Sequence, residues 1–211
     1  MAAARFWRNK PEMKYLLILV PLFLIISAMS IFSNDKTPTV PYKVIKKIGA
    51  VEIRAYNPVL YASVEKTGRM MEIGSLGFRD LAGYIFGGNK ESKKIAMTAP
   101  VTFRAVDSSG EKTEMSFSMP QGLTMENIPK PSSGNIRLHL AEPVQMAVLE
   151  FGGFASNKNI QEKAESLRDN LRKENIEWKE PVIFMAYNSP WKLFSRRNEV
   201  AFEISEKTQL K

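Results

Sequence analysis

Histidine, cysteine and clustered carboxylates are the side chains that most often carry acid–base, nucleophilic or metal chemistry, and this chain is poor in the first two. It has no cysteine, which removes disulfides, thiol nucleophiles and thiolate metal ligation. Its one histidine, His139, alternates with Ile136, Leu138 and Leu140, so it shares the outward face of a strand with Arg137. With a single histidine no Ser-His-Asp set can be assembled, and no His/Asp/Glu group has metal-site spacing. Two glycine-rich stretches, Gly87-Gly88-Asn89-Lys90 and Glu150–Gly153, match no phosphate-binding signature and read as a helix stop and a strand bend. The residues point away from an enzyme.

The 211 residues and net charge of +8 suit one domain with an appendage. The basic residues are scattered rather than gathered in a stripe, so a nucleic-acid partner is not expected. Residues 1–14 are basic, with Arg5, Arg8, Lys10 and Lys14 against Glu12. Tyr15–Phe32 contains no charged residue. As a helix it would span roughly 27 Å at ~1.5 Å per residue, close to a bilayer core. It reads as a single membrane anchor, or alternatively as a signal peptide. The positive-inside rule places the N-terminus in the cytoplasm and the remainder in a periplasm or lumen. Residues 33–41, with two prolines, read as a linker before a domain over residues 42–206.

Within that domain Phe78, Leu81, Ala82 and Ile85 form one apolar helical stripe, closed by Gly87, Gly88 and Asn89. Ile95–Pro100 is expected to resume as a strand. Val51, Ile53 and Ala55 alternate with polar residues, as do Val101, Phe103 and Ala105, and Met115, Phe117 and Met119. Val144, Met146 and Val148 do the same, as do Val200, Phe202 and Ile204, which predicts half-buried antiparallel strands. Asp107–Gly110 reads as a hairpin turn. A second helix is expected over Asn157–Asn175, where Ile160, Ala164, Leu167 and Leu171 make the stripe and Ser156 or Asn157 the cap. Val51–Ala62 resembles Val144–Ala155, Ala96–Pro100 resembles Ala186–Pro190, and Glu114–Phe117 resembles Glu199–Phe202. These matches in order predict a duplicated ββαββ unit with halves near 42–119 and 136–205, joined by a structureless Gln121–Gly134. The expected class is α+β: a pseudo-twofold, distorted antiparallel β-barrel with two helices on its outside.

The segments GFRDLAGYIFGGN and KIAMTAPV, with YKVIKKIGAVEIRAYNPVLYASV upstream and SRRNEVAFEI near the end, resemble the SOUL heme-binding family over roughly Pro41–Ser205. The resemblance implies noncovalent binding of heme or a related porphyrin, with the ring against the first helix and a loop of the second half. Carried onto this chain, that face is Phe78, Leu81, Ala82 and Ile85, with Arg79 beside it, and the loop is Pro190–Ser195. Trp191 and Phe194 would supply apolar wall, and Lys192, with Arg79 second, would pair with propionates. The same helix residues also serve to dock the helix, so both roles stay open for each of them. No histidine lies near the helix in sequence, so iron ligation is expected to be absent or to fall to Met97, Tyr84 or Tyr187, with His139 as a remoter alternative. The expected function is a membrane-tethered heme-binding module for buffering, storage or transfer. The alternative is a small-molecule effector-binding or protein-interaction module.

Overall fold

The structure, a computed structural model, describes residues 37–106, 110–189 and 191–204. Nine strands and two helices follow one another: β1 (Tyr42–Ile48), β2 (Val51–Tyr56), β3 (Val59–Thr67), α1 (Gly74–Ile85), β4 (Val101–Ala105), β5 (Lys112–Ser118), β6 (Ile136–Ala141), β7 (Val144–Phe151), α2 (Asn157–Lys173), β8 (Trp178–Ala186) and β9 (Asn198–Ile204). All nine join one antiparallel sheet in the order β1-β2-β7-β9-β8-β4-β5-β3-β6, strongly curved but not closed. This is an α+β fold built as an open, distorted barrel. The candidate anchor Tyr15–Phe32 lies outside the described residues, and no helix among those described is long and apolar enough to cross a membrane.

The sheet order shows the duplication directly. Reading outward from the central β4–β8 pair, β5 answers β9, β3 answers β7 and β6 answers β2. The same spacing separates Val51 from Ile136, Val59 from Val144 and Glu114 from Glu199. The repeat is therefore β2-β3-α1-β4-β5 against β6-β7-α2-β8-β9, with β1 an added edge strand. The expected match of Val51–Ala62 to Val144–Ala155 was out of register. Val51–Ala62 is two strands, broken at Asn57-Pro58, because proline lacks a ladder donor and biases its predecessor out of regular pairing. Ile95–Pro100 also differs from expectation: apart from a bridge between Ala99 and Thr39 it has no regular structure. Its polar groups go elsewhere, with the Ile95 amide donating to the Ile85 carbonyl and the Thr98 hydroxyl to the Ser118 carbonyl.

Both helices cover one face of the sheet, α1 over β3 and β5, and α2 over β7, β8 and β9. The main core lies between: Ile53, Val64, Leu81, Ile85, Met115, Leu149, Leu167, Phe184 and Phe202 are all buried there. Helix α2 opens with a capping box, in which Ser156 Oγ accepts from the Asn159 amide and Asn159 Oδ1 accepts from the Ser156 amide. Asn175 just beyond its end has φ of 55°, the left-handed cap that asparagine tolerates. Helix α1 ends as its glycines predict. The Gly88 amide donates to the Gly83 carbonyl, and Asn89 Nδ2 donates to the carbonyls of Tyr84 and Lys93. The connection over residues 121–134 has little regular structure but is tied to this helix end: Tyr84 Oη donates to the Pro129 carbonyl, and Ile128 is buried in the core. Asp107–Ser109 of the expected hairpin turn lie outside the described residues, while β4 and β5 pair as that turn requires.

Candidate functional site

Helix α1 turns about 100° per residue, so its faces can be assigned from its contacts. Gly77, Leu81, Tyr84 and Ile85 point into the core. One flank is tied toward β3 and β6: Asp80 pairs with Lys66 at 2.7 Å and accepts from Asn135 Nδ2, and Tyr84 reaches Pro129. The other flank carries Ser75, Phe78, Ala82 and Phe86, with Arg79 beside it on the solvent face, and Phe78 turns it toward β5 rather than β6. The Phe78 ring packs edge-on against Phe117 at 5.4 Å. Phe117 pairs with Val101, and Val101 with Ala186, the last residue of β8. At a strand spacing of ~4.8 Å, Phe117, on which Phe78 packs, thus stands about 10 Å from Ala186. Val101 and Ala186 are small and only partly buried, and they pack against the edge of the main core. This apolar strip of the sheet between α1 and α2 is the floor of the candidate groove.

The loop of residues 187–197 leaves β8 at the end of that floor. Trp191 is 88% and Phe194 70% exposed. Lys192 is partly buried, and Pro190 lies outside the described residues. The loop base is fixed. The Arg197 amide donates to Asn188 Oδ1 at 2.6 Å, Arg196 Nη1 donates to the carbonyls of Ser189 and Lys192, and the Arg196 guanidinium stacks on Phe154 at 4.7 Å. Beneath it, Glu199 is fully buried and accepts from Arg54 at 3.0 Å, from Arg197 at 2.6 and 3.1 Å, and from Tyr187 Oη at 2.8 Å. Burial and the Glu199 charge push the Tyr187 phenol far above its ordinary range. Burial works against the Arg54 charge, but its bond to Tyr56 and the Glu199 carboxylate outweigh that and hold it more firmly protonated than usual. The SRRNEV stretch is therefore the clamp that sets the start of β9 and the foot of the loop.

The sequence-derived residues divide accordingly. Phe78, Arg79, Trp191 and Phe194 are accessible, and Lys192 partly so. Ala82 is nearly covered but lies on the groove flank. Leu81 and Ile85, 0% and 1% exposed, dock the helix and present no ligand surface. Phe86, Val101 and Ala186 were missed. Phe86 extends the Phe78–Ala82 flank by one helical turn and was legible in principle; the two floor residues need the strand register. Of the weak iron donors considered, Tyr84 and Tyr187 are spent on Pro129 and Glu199, while Met97 remains beside the core edge. His139 sits on β6, stacked with Tyr61 at 5.7 Å, and lines a separate cleft on the opposite face of the sheet. Burial, with Arg137 adding to it, lowers its pKa, so it is neutral at pH 7. That cleft, about 740 Å³, is also lined by Arg104, Glu114, Glu203, Ile183 and Met185. Arg104 is paired with Glu203 at 2.8 Å, and Glu114 with Arg137. The helix side presents exposed aromatic residues, a strip of small partly buried residues, and the cations Arg79 and Lys192.

Residues 37–203 match the family model described as SOUL heme-binding protein. Heme-binding protein 2 of Mus musculus is 34% identical over 72% of this chain and 77% of its own length. Heme-binding protein 1 of Sus scrofa is 28% identical over 77% and 90%. In solved structures the fold is similar to the EcmrR C-terminal domain, with a TM-score of 0.59 at 10% identity over 78% of this chain and 98% of that one, a likeness of fold alone. The chain belongs to the SOUL heme-binding protein family.

Proposed function

We infer that this protein binds heme, or a closely related porphyrin, noncovalently in the groove between α1 and the loop of residues 187–197. Family membership supports the ligand. The observation that carries the location is the row Phe78–Phe117–Val101–Ala186, which leaves an apolar floor uncovered between two aromatic walls. Phe78, Ala82 and Phe86 form one wall, and Trp191 and Phe194 the other. Arg79 and Lys192 stand at the rim for the propionates, since charge-assisted pairs with carboxylates are the strong ones. Histidine does not ligate the iron, because His139 is on the other side of the sheet. Binding of this kind suits buffering or transfer better than chemistry at the iron, and no catalytic step is assigned. The uncharged Tyr15–Phe32 stretch makes the protein membrane-tethered, with the domain on the non-cytoplasmic side.

Paramagnetic hemin tests the location. Added to isotope-labelled protein, it broadens the side-chain methyl and ring signals of Phe78, Ala82, Val101 and Ala186 more than the ring signals of Tyr61 and His139, which face the opposite cleft. Broadening centred on Tyr61 and His139 would move the site to the opposite cleft. That cleft supports the second reading, a small-molecule effector site, because its volume lies within the range of ligand pockets. On that reading a small aromatic probe displaced by Met185→Trp, and not by hemin, occupies it.

A further inference from the structure

The loop of residues 187–197 exposes more apolar surface than a wall for one ligand needs. Trp191, Leu193 and Phe194 are 88%, 58% and 70% exposed, and Phe154 on the neighbouring β7–α2 connection is 58% exposed. Contiguous exposed aromatic and aliphatic side chains mark an interaction surface. Basic residues flank them: Lys192 and Arg196 lie within the loop, and Lys158 follows Phe154 at the start of α2, where Glu162 stands 3.9 Å away, while Glu150 is engaged by Arg197 at 3.2 Å.

The entry of the chain into the domain gives the second, independent observation. Residues expected to be a free linker are paired: the Ala99 amide donates to the Pro38 carbonyl, and the Val40 amide to the Ala99 carbonyl. The bridge is parallel, so residues 37–38 run alongside residues 97–98. Ala99 leads through Pro100 into β4, whose first residue pairs with Ala186, where the loop begins. The chain therefore enters at the same end of the sheet as the loop. Between the uncharged Tyr15–Phe32 stretch and residue 37 only Ser33–Lys36 intervene, which reach at most about 14 Å fully extended. A tether this short, fixed at that end, brings the loop to the headgroup layer.

We propose that Trp191, Leu193, Phe194 and Phe154 form a membrane-docking surface that seats this end of the domain on an anionic phospholipid bilayer. Tryptophan and phenylalanine insert at the headgroup level, and the surrounding lysine and arginines draw anionic lipid. The mouth of the groove then opens onto the bilayer, from which an apolar porphyrin can pass without crossing water. This rests on the membrane-tethered reading above.

The absence of cysteine makes a clean test possible. The full chain carrying Leu193→Cys, or Glu65→Cys at the opposite end of β3, is labelled with an environment-sensitive fluorophore. It is reconstituted without heme into vesicles of zwitterionic lipid, with or without phosphatidylglycerol, containing a headgroup-level spin-labelled lipid quencher. The label at residue 193 is quenched several-fold more than that at 65, more so with phosphatidylglycerol, and Trp191→Ser with Phe194→Ser lowers the quenching. Equal quenching at the two positions, in protein that still floats with the vesicles, overturns the docking surface while leaving the tether intact. Protein that fails to float overturns the tether and the docking surface with it. Protection of residue 193 that needs an added protein rather than lipid also overturns the proposal. None of these outcomes bears on heme affinity, which is read separately.

Discussion

Removing the two arginines that hold Glu199 tests how the loop is anchored. Arg54 is 3% exposed and meets a carboxylate that is wholly buried, at 3.0 Å. Breaking a buried pair by removing one partner typically costs about 3–5 kcal/mol, because a charge is left uncompensated. Here Glu199 would keep Arg197 at 2.6 Å and the Tyr187 hydroxyl at 2.8 Å, so Arg54→Ala belongs at the low end, about 3 kcal/mol. Arg197 is one-third exposed, so Arg197→Ala is expected to cost less, about 1–2 kcal/mol. The double variant leaves the carboxylate with Tyr187 alone, so its loss exceeds the sum of the singles by about 1–3 kcal/mol. Urea unfolding of the four proteins, followed by circular dichroism, gives the cycle. In a domain of this size, ~3 kcal/mol corresponds to roughly 6–12 °C in Tm. Strictly additive losses, or a cost for Arg54→Ala below ~1 kcal/mol, would refute the claim that both arginines neutralise one buried charge.

Three further outcomes follow from particular contacts. A Cβ on Gly88 would lie 2.6 Å from the Gly83 carbonyl oxygen, so Gly88→Ala destabilises by about 1–3 kcal/mol in denaturant unfolding, and an unchanged midpoint would show that the end of α1 is less tightly closed. Because burial depresses the folded-state pKa of His139, an unfolded chain takes up its proton first as pH falls below about 6.5. That contribution is complete above this pH and is lost on acidification through the lower folded pKa; His139→Gln therefore flattens the fall in stability between neutral and mildly acidic pH, and parallel curves would contradict it. Phe86→Ser, at an exposed position that the core does not use, lowers hemin affinity without moving the unfolding midpoint, whereas unchanged affinity would shorten the groove wall to Phe78 and Ala82.

Most elements of this fold are written in period-two and helical patterns that do not depend on distant contacts. The stripe Ile160–Leu171, the strands β4, β5, β7 and β9, and the Gly87–Asn89 stop all lie where the residues placed them, but β9 and most of β5 are buried on both faces rather than half-buried. What failed did so for identifiable reasons. The match of Val51–Ala62 to Val144–Ala155 ran across the two-residue turn at Asn57-Pro58, and that shifted the repeat register. Ile95–Pro100 has strand-like composition, but Thr98 and Ile95 bond to Ser118 and Ile85 outside any ladder. The candidate site was half legible. A helical stripe reports which residues share a face and not how wide the buried part is, so Leu81 and Ile85 could not be separated from Phe78. The floor residues Val101 and Ala186 become visible only once β4 is known to pair with β8, a contact between the two repeats that neither repeat encodes.

Hemin titration of the wild-type protein alongside Phe78→Asp, Lys192→Glu and His139→Ala, followed at the Soret band, tests the helix-side groove most directly. The structure predicts saturable one-to-one binding. Phe78→Asp puts a charge on the apolar wall, and Lys192→Glu replaces a charge-assisted contact with a repulsive one, so each weakens binding by roughly 10–100-fold. His139→Ala stays within about twofold of wild type, because its ring faces the opposite cleft. Affinity lost in His139→Ala and retained in the other two would contradict the account and place the ligand on the other side of the sheet.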